Sequence, residues 1–361
     1  MFALPHHWDS FEYGTMSGLT DVSLFTTTKG MAMAVRGDSW TLIEPNLPID
    51  MSFNPWSPEH GDIDTLSPSA MEAINAAASI ELTESIANQS SLGSMYYDGK
   101  ALAKFAGIAY AVHELAGNIT LALTGLQELQ TAFAQHVENQ KAFPLVYDTQ
   151  WGGAVSSGTY TTGNEGVDFG NSLYNDHHFH FGYFLYTAAV IGYLDPGWLD
   201  EGTNKVWVNM LARDYANPIE DDPYYPFSRS FDWFMGHSWA KGLFASADGK
   251  DQESSSEDTM ASYALKMWGR VINDKNMEAR GNLMLAIQAR SLQAYHLYTD
   301  DNAVQPAEFI GNKVAGIMFD NKIDHTTYFG NNIEFIQGIN MLPLLPSSTL
   351  IRTKTFVDEE W

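Results

Sequence analysis

From residue 68 onward the chain reads as helix after helix, and that succession limits the fold more than any other feature. Apolar residues recur at helical spacing near 68–88, 99–117, 120–140, 176–193, 199–216, 231–245, 255–273, 276–298, 303–316 and 329–342. Connections are short and no convincing strand pairs lie between them. The absence of a fixed repeat disfavours solenoids built on a strict motif. A solenoid, a bundle or an α/α toroid would accommodate such a run. Gly- and aromatic-rich loops ahead of several helices favour the toroid, whose pocket is built from loops at one end of its inner ring. The irregular stretch from Pro144 to Tyr174, with Trp151-Gly152-Gly153, is such a loop.

The first 55 or so residues are different in character. Val22 to Thr28 and Met31 to Val35 read as short strands, with turns at Lys29-Gly30 and Gly37-Asp38. Pro45, Pro48, Pro55 and Pro58 then break up the connection. The expected division is a small α/β segment over 1–65 and a helical domain over 66–361.

Charge narrows the ligand class. Nineteen basic against forty-four acidic side chains give a formal charge of -25, which repels nucleic acid and anionic membrane surfaces. A neutral or cationic ligand fits better. Ten Trp, seventeen Tyr and twenty Phe supply rings for stacking or for the core. With no cysteine, thiolate metal sites and cysteine nucleophiles are excluded. Nucleophile elbows, phosphate loops and dinucleotide fingerprints are missing too, which leaves acid/base chemistry by carboxylates.

Two acidic helix starts carry that chemistry. Asn175-Asp176-His177-His178-Phe179-His180-Phe181-Gly182-Tyr183 puts one carboxylate, three imidazoles and three aromatic rings where a polar loop becomes an apolar helix. Asn175 is expected as N-cap and Asp176 as the first helical residue. The helix dipole favours a charged Asp176, whereas packing among Tyr174, Phe179 and Tyr183 favours a neutral one. In Asp251-Gln252-Glu253-Ser254-Ser255-Ser256-Glu257-Asp258, Ser254 and Glu257 fit a capping box. Glu253 then lies just outside the helix with no capping duty, so spacing prefers it as the catalytic member. A third stretch, Asp232 to Trp239, has the acidic, aromatic and imidazole groups of a sugar subsite, and equally those of a well-packed helix start. A metal held by Asp176, His177 and His180 is the rival reading of the first cluster.

These segments resemble glycoside hydrolase family 81, the endo-β-1,3-glucanases or laminarinases. The matching stretches are Phe2 to His7, Thr28-Lys29-Gly30, Gly37 to Trp40, Asn175 to Tyr183, Asp232 to Gly242, Gly249 to Asp258, Tyr328-Phe329-Gly330 and Met341-Leu342-Pro343, all in family order. The resemblance implies a mainly α fold, an (α/α)6 toroid preceded by a short α/β segment. It implies cleavage of internal β-1,3 bonds with inversion, Asp176 as general acid, Glu253 as general base and Glu257 as a further acidic residue of the site. Inversion asks for carboxyls roughly 6.5–9.5 Å apart, leaving room for a water. Candidate sugar contacts are Trp151, Tyr174, Trp233 and Trp239, with Asp148, His178, His180, Asp232 and His237 for hydroxyls.

The expected partner is β-1,3-glucan, with no metal or organic cofactor, no nucleic acid and no membrane, and the expected state is a monomer. By the family, the setting is extracellular or cell-wall associated, although no signal peptide is present. Relative to the family pattern the chain starts after the β-sandwich and stops at Glu359-Glu360-Trp361, before the last helices. Gln337 stands where the family usually has His, and Asn340 where it usually has Gln. A glucan-binding module without turnover is the alternative function.

Overall fold

In the computed structural model, which describes residues 1–12 and 18–361, the helices form an inner and an outer row. Helix α1 (Pro68–Glu81) and the short α2 (Ile86–Gln89) lead into α3 (Met95–Tyr110), and α4 (Ile119–Val137) runs back along it. One turn, α5 (Gly158–Thr162), precedes α6 (His177–Leu194), which α7 (Asn204–Ala216) backs. The pair α8 (Ser255–Val271) and α9 (Lys275–Tyr295) follows, then the short α10 (Ala307–Ile310), α11 (Ile333–Met341), α12 (Ser348–Ile351) and α13 (Lys354–Glu360). Helices α3, α6, α8 and α11 touch one another in that order, while α4, α7 and α9 cover α3, α6 and α8 from outside. This is the expected mainly α fold with paired inner and outer helices.

Sequence explains why α6 is the central member. Residues His177 to Gly192 are all buried, so the helix has no polar face and must be surrounded. Two glycines let its neighbours close in. A Cβ on Gly182 would stand 3.0 Å from Ala261 Cα of α8, and one on Gly99 of α3 would stand 3.0 Å from Tyr183 Cβ. Around these contacts Phe105, Phe133, Phe184, Leu185 and Trp268 form one continuous core. Each such side chain contributes about 1.5–3 kcal/mol by leaving water.

The N-terminal segment holds a three-stranded antiparallel sheet of β1 (Phe2–Ala3), β2 (Gly18–Phe25) and β3 (Met31–Arg36), in the order β1-β3-β2. The two expected strands are therefore present and paired. A small hairpin of β4 (Trp56–Ser57) and β5 (Gly61–Asp62) follows. This segment grips the helical part through polar bonds: Lys266 Nζ donates to Pro48 O, and Arg270 donates to the carbonyls of Ile49 and Met51.

Four local expectations need correcting. Residues 231–245 are not helical: Asp232 Oδ1 accepts from the N–H groups of Phe234 and Met235, and Gly236 sits at φ 76°, closing a tight turn between β8 (Phe231–Asp232) and β9 (His237–Ser238). Only Ala307–Ile310 of 303–316 is helical, because Pro306 starts it and Gly311 ends it. The pattern 68–88 splits where Ser85 caps a new helix. Strand pairs do occur between the helices, namely β6 (Leu145–Asp148) with β7 (Gly153–Ser156), and β10 (Asp251–Gln252) with β11 (Ile317–Phe319) and β12 (Ile323–Asp324). The first of these lies inside the stretch expected to be irregular.

Candidate active site

Both acidic helix starts open into one cleft of about 830 Å3, at the same end of the inner row. Asp176 is the N-cap of α6 rather than its first helical residue, with φ 57° in the left-handed region. Asn175 does no capping: its Oδ1 accepts from Gly242 N and its Nδ2 donates to Phe169 O. A non-glycine residue held at positive φ costs of order 1–3 kcal/mol and persists where surrounding structure dictates it. Here the dictating contact is Asp176 N–H donating to Ala240 O at 2.9 Å.

Gly242 fixes the same loop from the other side. A Cβ there would fall on the Leu173 carbonyl and the main chain of Tyr174 and Asn175, none of which can rotate away. Gly242→Ala is expected to push Asp176 out of line, lowering turnover at least tenfold and destabilising the fold by about 1–3 kcal/mol. Paired activity and urea-melt measurements check it.

Glu253 comes off β10 immediately before Ser254, the N-cap of α8. Ser254 Oγ accepts from Glu257 N at 3.2 Å, but Ser254 N turns to Gln252 Oε1, so the expected capping box is half formed. The Glu257 carboxylate points instead to the cleft, where Oε1 accepts from Tyr96 OH at 2.8 Å and Tyr183 OH at 2.5 Å. Asp251 is likewise held, by the hydroxyl of Tyr328. Among the described residues, the side chains of Asp176 and Glu253 accept no such bond. With Glu334 accepting from Asn332 Nδ2 at 3.2 Å, three carboxyls lining the cleft are tied to protein donors, and Asp176 and Glu253 are left to whatever enters.

Burial raises the proton affinity of all three acidic candidates. Asp176 is pushed well above the usual carboxylate range by desolvation, then by the charges of Glu253, Asp251 and Glu257. Desolvation, Glu257 and Asp251 push Glu253 up to about 8, against the pull of Lys241. Glu257 is raised by desolvation and held back by Lys100 and its two tyrosines. Asp176 and Glu253 therefore both hold their protons to higher pH than an exposed carboxyl does, with the charge of Glu253 among the causes at Asp176.

A stability effect follows. Between 4.5, the ordinary value for Glu253, and about 8, its folded value, the folded chain binds the extra proton more tightly. Stability from this group is full below that window and falls as pH rises through it. Glu253→Gln is therefore expected to raise the melting temperature relative to the parent at pH 8 and not at pH 4, as read by calorimetry at both values.

The other expected site residues fall into two sets. His180 lines the cleft, its Nδ1 2.8 Å from Asn171 Nδ2 and its buried Nε2 without a partner among the described residues. His178 is buried behind it, with Nε2 3.4 Å from Gln252 Nε2. His177 is occupied at both nitrogens, by Asp214 and by Asn171 O, so it does not join Asp176 and His180. Tyr174 and Asp148 bond each other at 2.8 Å, and Trp151 is exposed on the β6–β7 turn. Asp232 is taken up by its turn and by Trp239 Nε1, Trp233 donates to Ser228, and His237 is buried against Lys29. None of Asp148, Trp151, Tyr174, His178, Asp232, Trp233, His237 or Trp239 lines the cleft.

The rings that do line it were missed. Tyr96, Tyr97 and Phe169 form one group, and Tyr328, Phe329 and Phe335 another. Tyr96 and Tyr97 lay outside the expected helix start at 99. Asp168, whose carboxylate accepts from Ser94 Oγ and Met95 N, pins the true start of α3 and so places them. Tyr328-Phe329 had a signal in the family-like motifs. Gln337 bonds Asn312 O in the loop after α10, and Asn340 Oδ1 accepts from Ser255 of α8, so both unusual residues tie α11 to its neighbours.

Comparison with known proteins now places the chain. Residues 65–361 match the model of the glycosyl hydrolase family 81 C-terminal domain, and residues 1–58 that of the N-terminal domain. Among curated relatives, a glucan endo-1,3-β-D-glucosidase of Arthroderma benhamiae is 58% identical over the whole chain, which covers 40% of that relative. The primary septum glucan endo-1,3-β-D-glucosidase of Schizosaccharomyces pombe is 49% identical, again over the whole chain and 35% of its own length. Glucan endo-1,3-β-D-glucosidase 2 of Saccharomyces cerevisiae is 42% identical, with 46% of its length covered. The chain thus spans less than half the length of these relatives. A solved structure of glycoside hydrolase family 81 from Clostridium thermocellum superposes with a TM-score of 0.77 at 24% identity, covering 99% of this chain and 47% of that one, and shares its helical toroid fold. This chain belongs to glycosyl hydrolase family 81.

Proposed function

We propose that this chain is the catalytic part of an endo-acting, inverting β-1,3-glucanase, with Asp176 as general acid and Glu253 as general base. The observation that carries the proposal is the pair of carboxyls left without hydrogen bonds from the described residues, in a cleft where their neighbours Glu257 and Asp251 are tied down. The names of the relatives supply the substrate class.

Asp176 is the group to hold a proton, since burial and three neighbouring carboxylates all disfavour its charge. It donates that proton to the glycosidic oxygen as the bond to the anomeric carbon breaks. Glu253, ionised, takes a proton from the water that attacks the opposite face. Glu257, fixed by the hydroxyls of Tyr96 and Tyr183, holds the geometry of α8 against α3 and α6. The two aromatic groups offer stacking faces to successive sugars, and a neutral glucan is compatible with the acidic surface. The setting is extracellular or at a cell wall.

Release of reducing ends from laminarin, with binding to insoluble β-1,3-glucan alongside, tests the reading. Turnover with a bell-shaped pH dependence is expected: activity falls toward acid as the base takes up its proton and toward alkali as the acid loses its own. Binding without release would favour a glucan-binding module instead.

A further inference from the structure

Two lysines stand at the rim of the cleft in matching arrangements. Lys100 of α3 donates to Tyr96 OH at 3.1 Å and lies 4.7 Å from that ring's centre, and Tyr96 in turn holds Glu257. Lys241 lies 5.6 Å from the centre of the Tyr328 ring and 3.6 Å from Asp251 Oδ2, and Tyr328 in turn holds Asp251. Each set is a lysine, a tyrosine and a carboxylate that accepts the tyrosine's hydroxyl.

The second set is wired to the acid by main chain. Asp176 N donates to Ala240 O, and Ala240 N donates to Asp251 O at 2.7 Å. Lys241, next to Ala240, folds its ammonium back to the Asp251 side chain, closing a small ring of contacts between both helix starts. Lys241 lines the cleft with Asp176 and Glu253, and 18% of its side chain is exposed, so solvent screens it little.

We propose that Lys241 is a positioning residue of the reaction: braced by Asp251 and Tyr328, its ammonium sets the proton affinities of Asp176 and Glu253 together. This rests on the acid and base roles proposed above. The charge it answers is large. Asp176 and Glu253 face Asp251 from β10 and Glu257 from α8. Tyr96 and Lys100 approach from α3, His180 from α6, Tyr328 from the loop before α11 and Glu334 from α11 itself. Lys241 is the cation whose attraction opposes the raised proton affinity of both catalytic groups, whereas Lys100 acts on Glu257. Without that positive charge both carboxyls would hold their protons to higher pH, so the base would fail first near neutrality.

The test uses the 361-residue chain with Lys241→Met, Lys241→Gln as a second neutral variant, and Lys241→Arg. The titration of Glu253 is followed by carboxyl 13C NMR, assigned by its loss in Glu253→Gln, and needs no turnover. The laminarin pH–rate profile is measured in parallel. Expected is a Glu253 midpoint displaced to higher pH in both neutral variants and retained in Lys241→Arg, with both limbs of the rate profile moving the same way. A midpoint unmoved in the neutral variants, or limbs that stay in place while only the height falls, would make Lys241 a strut or a sugar contact and overturn the proposal. A midpoint displaced in the neutral variants of a parent that does not cleave laminarin would uphold the role of Lys241 and count against the glucanase reading alone.

Discussion

Asp176→Asn is expected to lower laminarin hydrolysis by about 10²–10⁴-fold, the usual worth of a positioned proton donor, with the fold intact. Asparagine keeps the size of the side chain and the Asp176 N–H bond to Ala240 O is main chain, so the left-handed cap of α6 survives. What is lost is the proton. Glu253→Gln is expected to cost a similar factor for a different reason, because the attacking water then has no acceptor. The substrate separates the two. A dinitrophenyl β-1,3-oligoglucoside carries a leaving group that departs without protonation, so Asp176→Asn should regain most of its rate on it and Glu253→Gln should not. Recovery in Glu253→Gln alone would reverse the assigned roles, and equal recovery, or none in either, would remove them.

Asp214→Ala should be the most destabilising single substitution near the site, by about 3–5 kcal/mol, the range for removing one partner of a buried charged pair. Asp214 is fully buried and accepts from His177 Nδ1 at 2.5 Å and Ala154 N at 2.9 Å, with Arg229 Nε at 3.5 Å. Alanine leaves the His177 ring and the Ala154 amide without their acceptor and removes the charge facing Arg229, whose own hydrogen bonds to the Asp214 and Gly152 carbonyls remain. The Arg229 guanidinium also covers the Tyr174 ring at 4.2 Å, so the loop ahead of Asp176 would loosen with it. Urea unfolding measures the loss, and Asp214→Asn, which keeps an acceptor oxygen, is expected to lose less. A change below 1 kcal/mol in Asp214→Ala would show that water replaces the carboxylate.

Much of this was legible in the sequence, and the limits have physical causes. Helices α4, α6, α8 and α9 announced themselves because each is long enough for its apolar pattern to outweigh local turn chemistry. The 231–245 segment misled because its apolar spacing is helical, while Asp232 and Gly236 close a turn that the pattern does not report. Asp176 and Glu253 could be singled out since each is a carboxylate at a helix start without a full capping duty. Tyr96 and Lys241 could not, because they join the site only when α3 and the loop between β9 and β10 meet there, whereas Tyr328 had a signal in the family-like motifs. Aromatic density was a poor guide for a similar reason. Trp233 and Trp239 sit in a rich stretch, yet both spend their indole N–H groups on neighbouring side chains, and Trp239 is buried.

The central claim is that two free carboxyls, one acting on the glycosidic oxygen and one on a water, cleave a β-1,3 bond in a single displacement. Proton NMR of a fresh laminarin digest reads this directly from the anomeric signal of the new reducing ends. The α-anomer should appear first and then relax toward the equilibrium mixture, and Asp176→Asn should show neither signal on the same timescale. Initial release of the β-anomer would mean a covalent intermediate with retention, and would contradict the assignment of Glu253 as base.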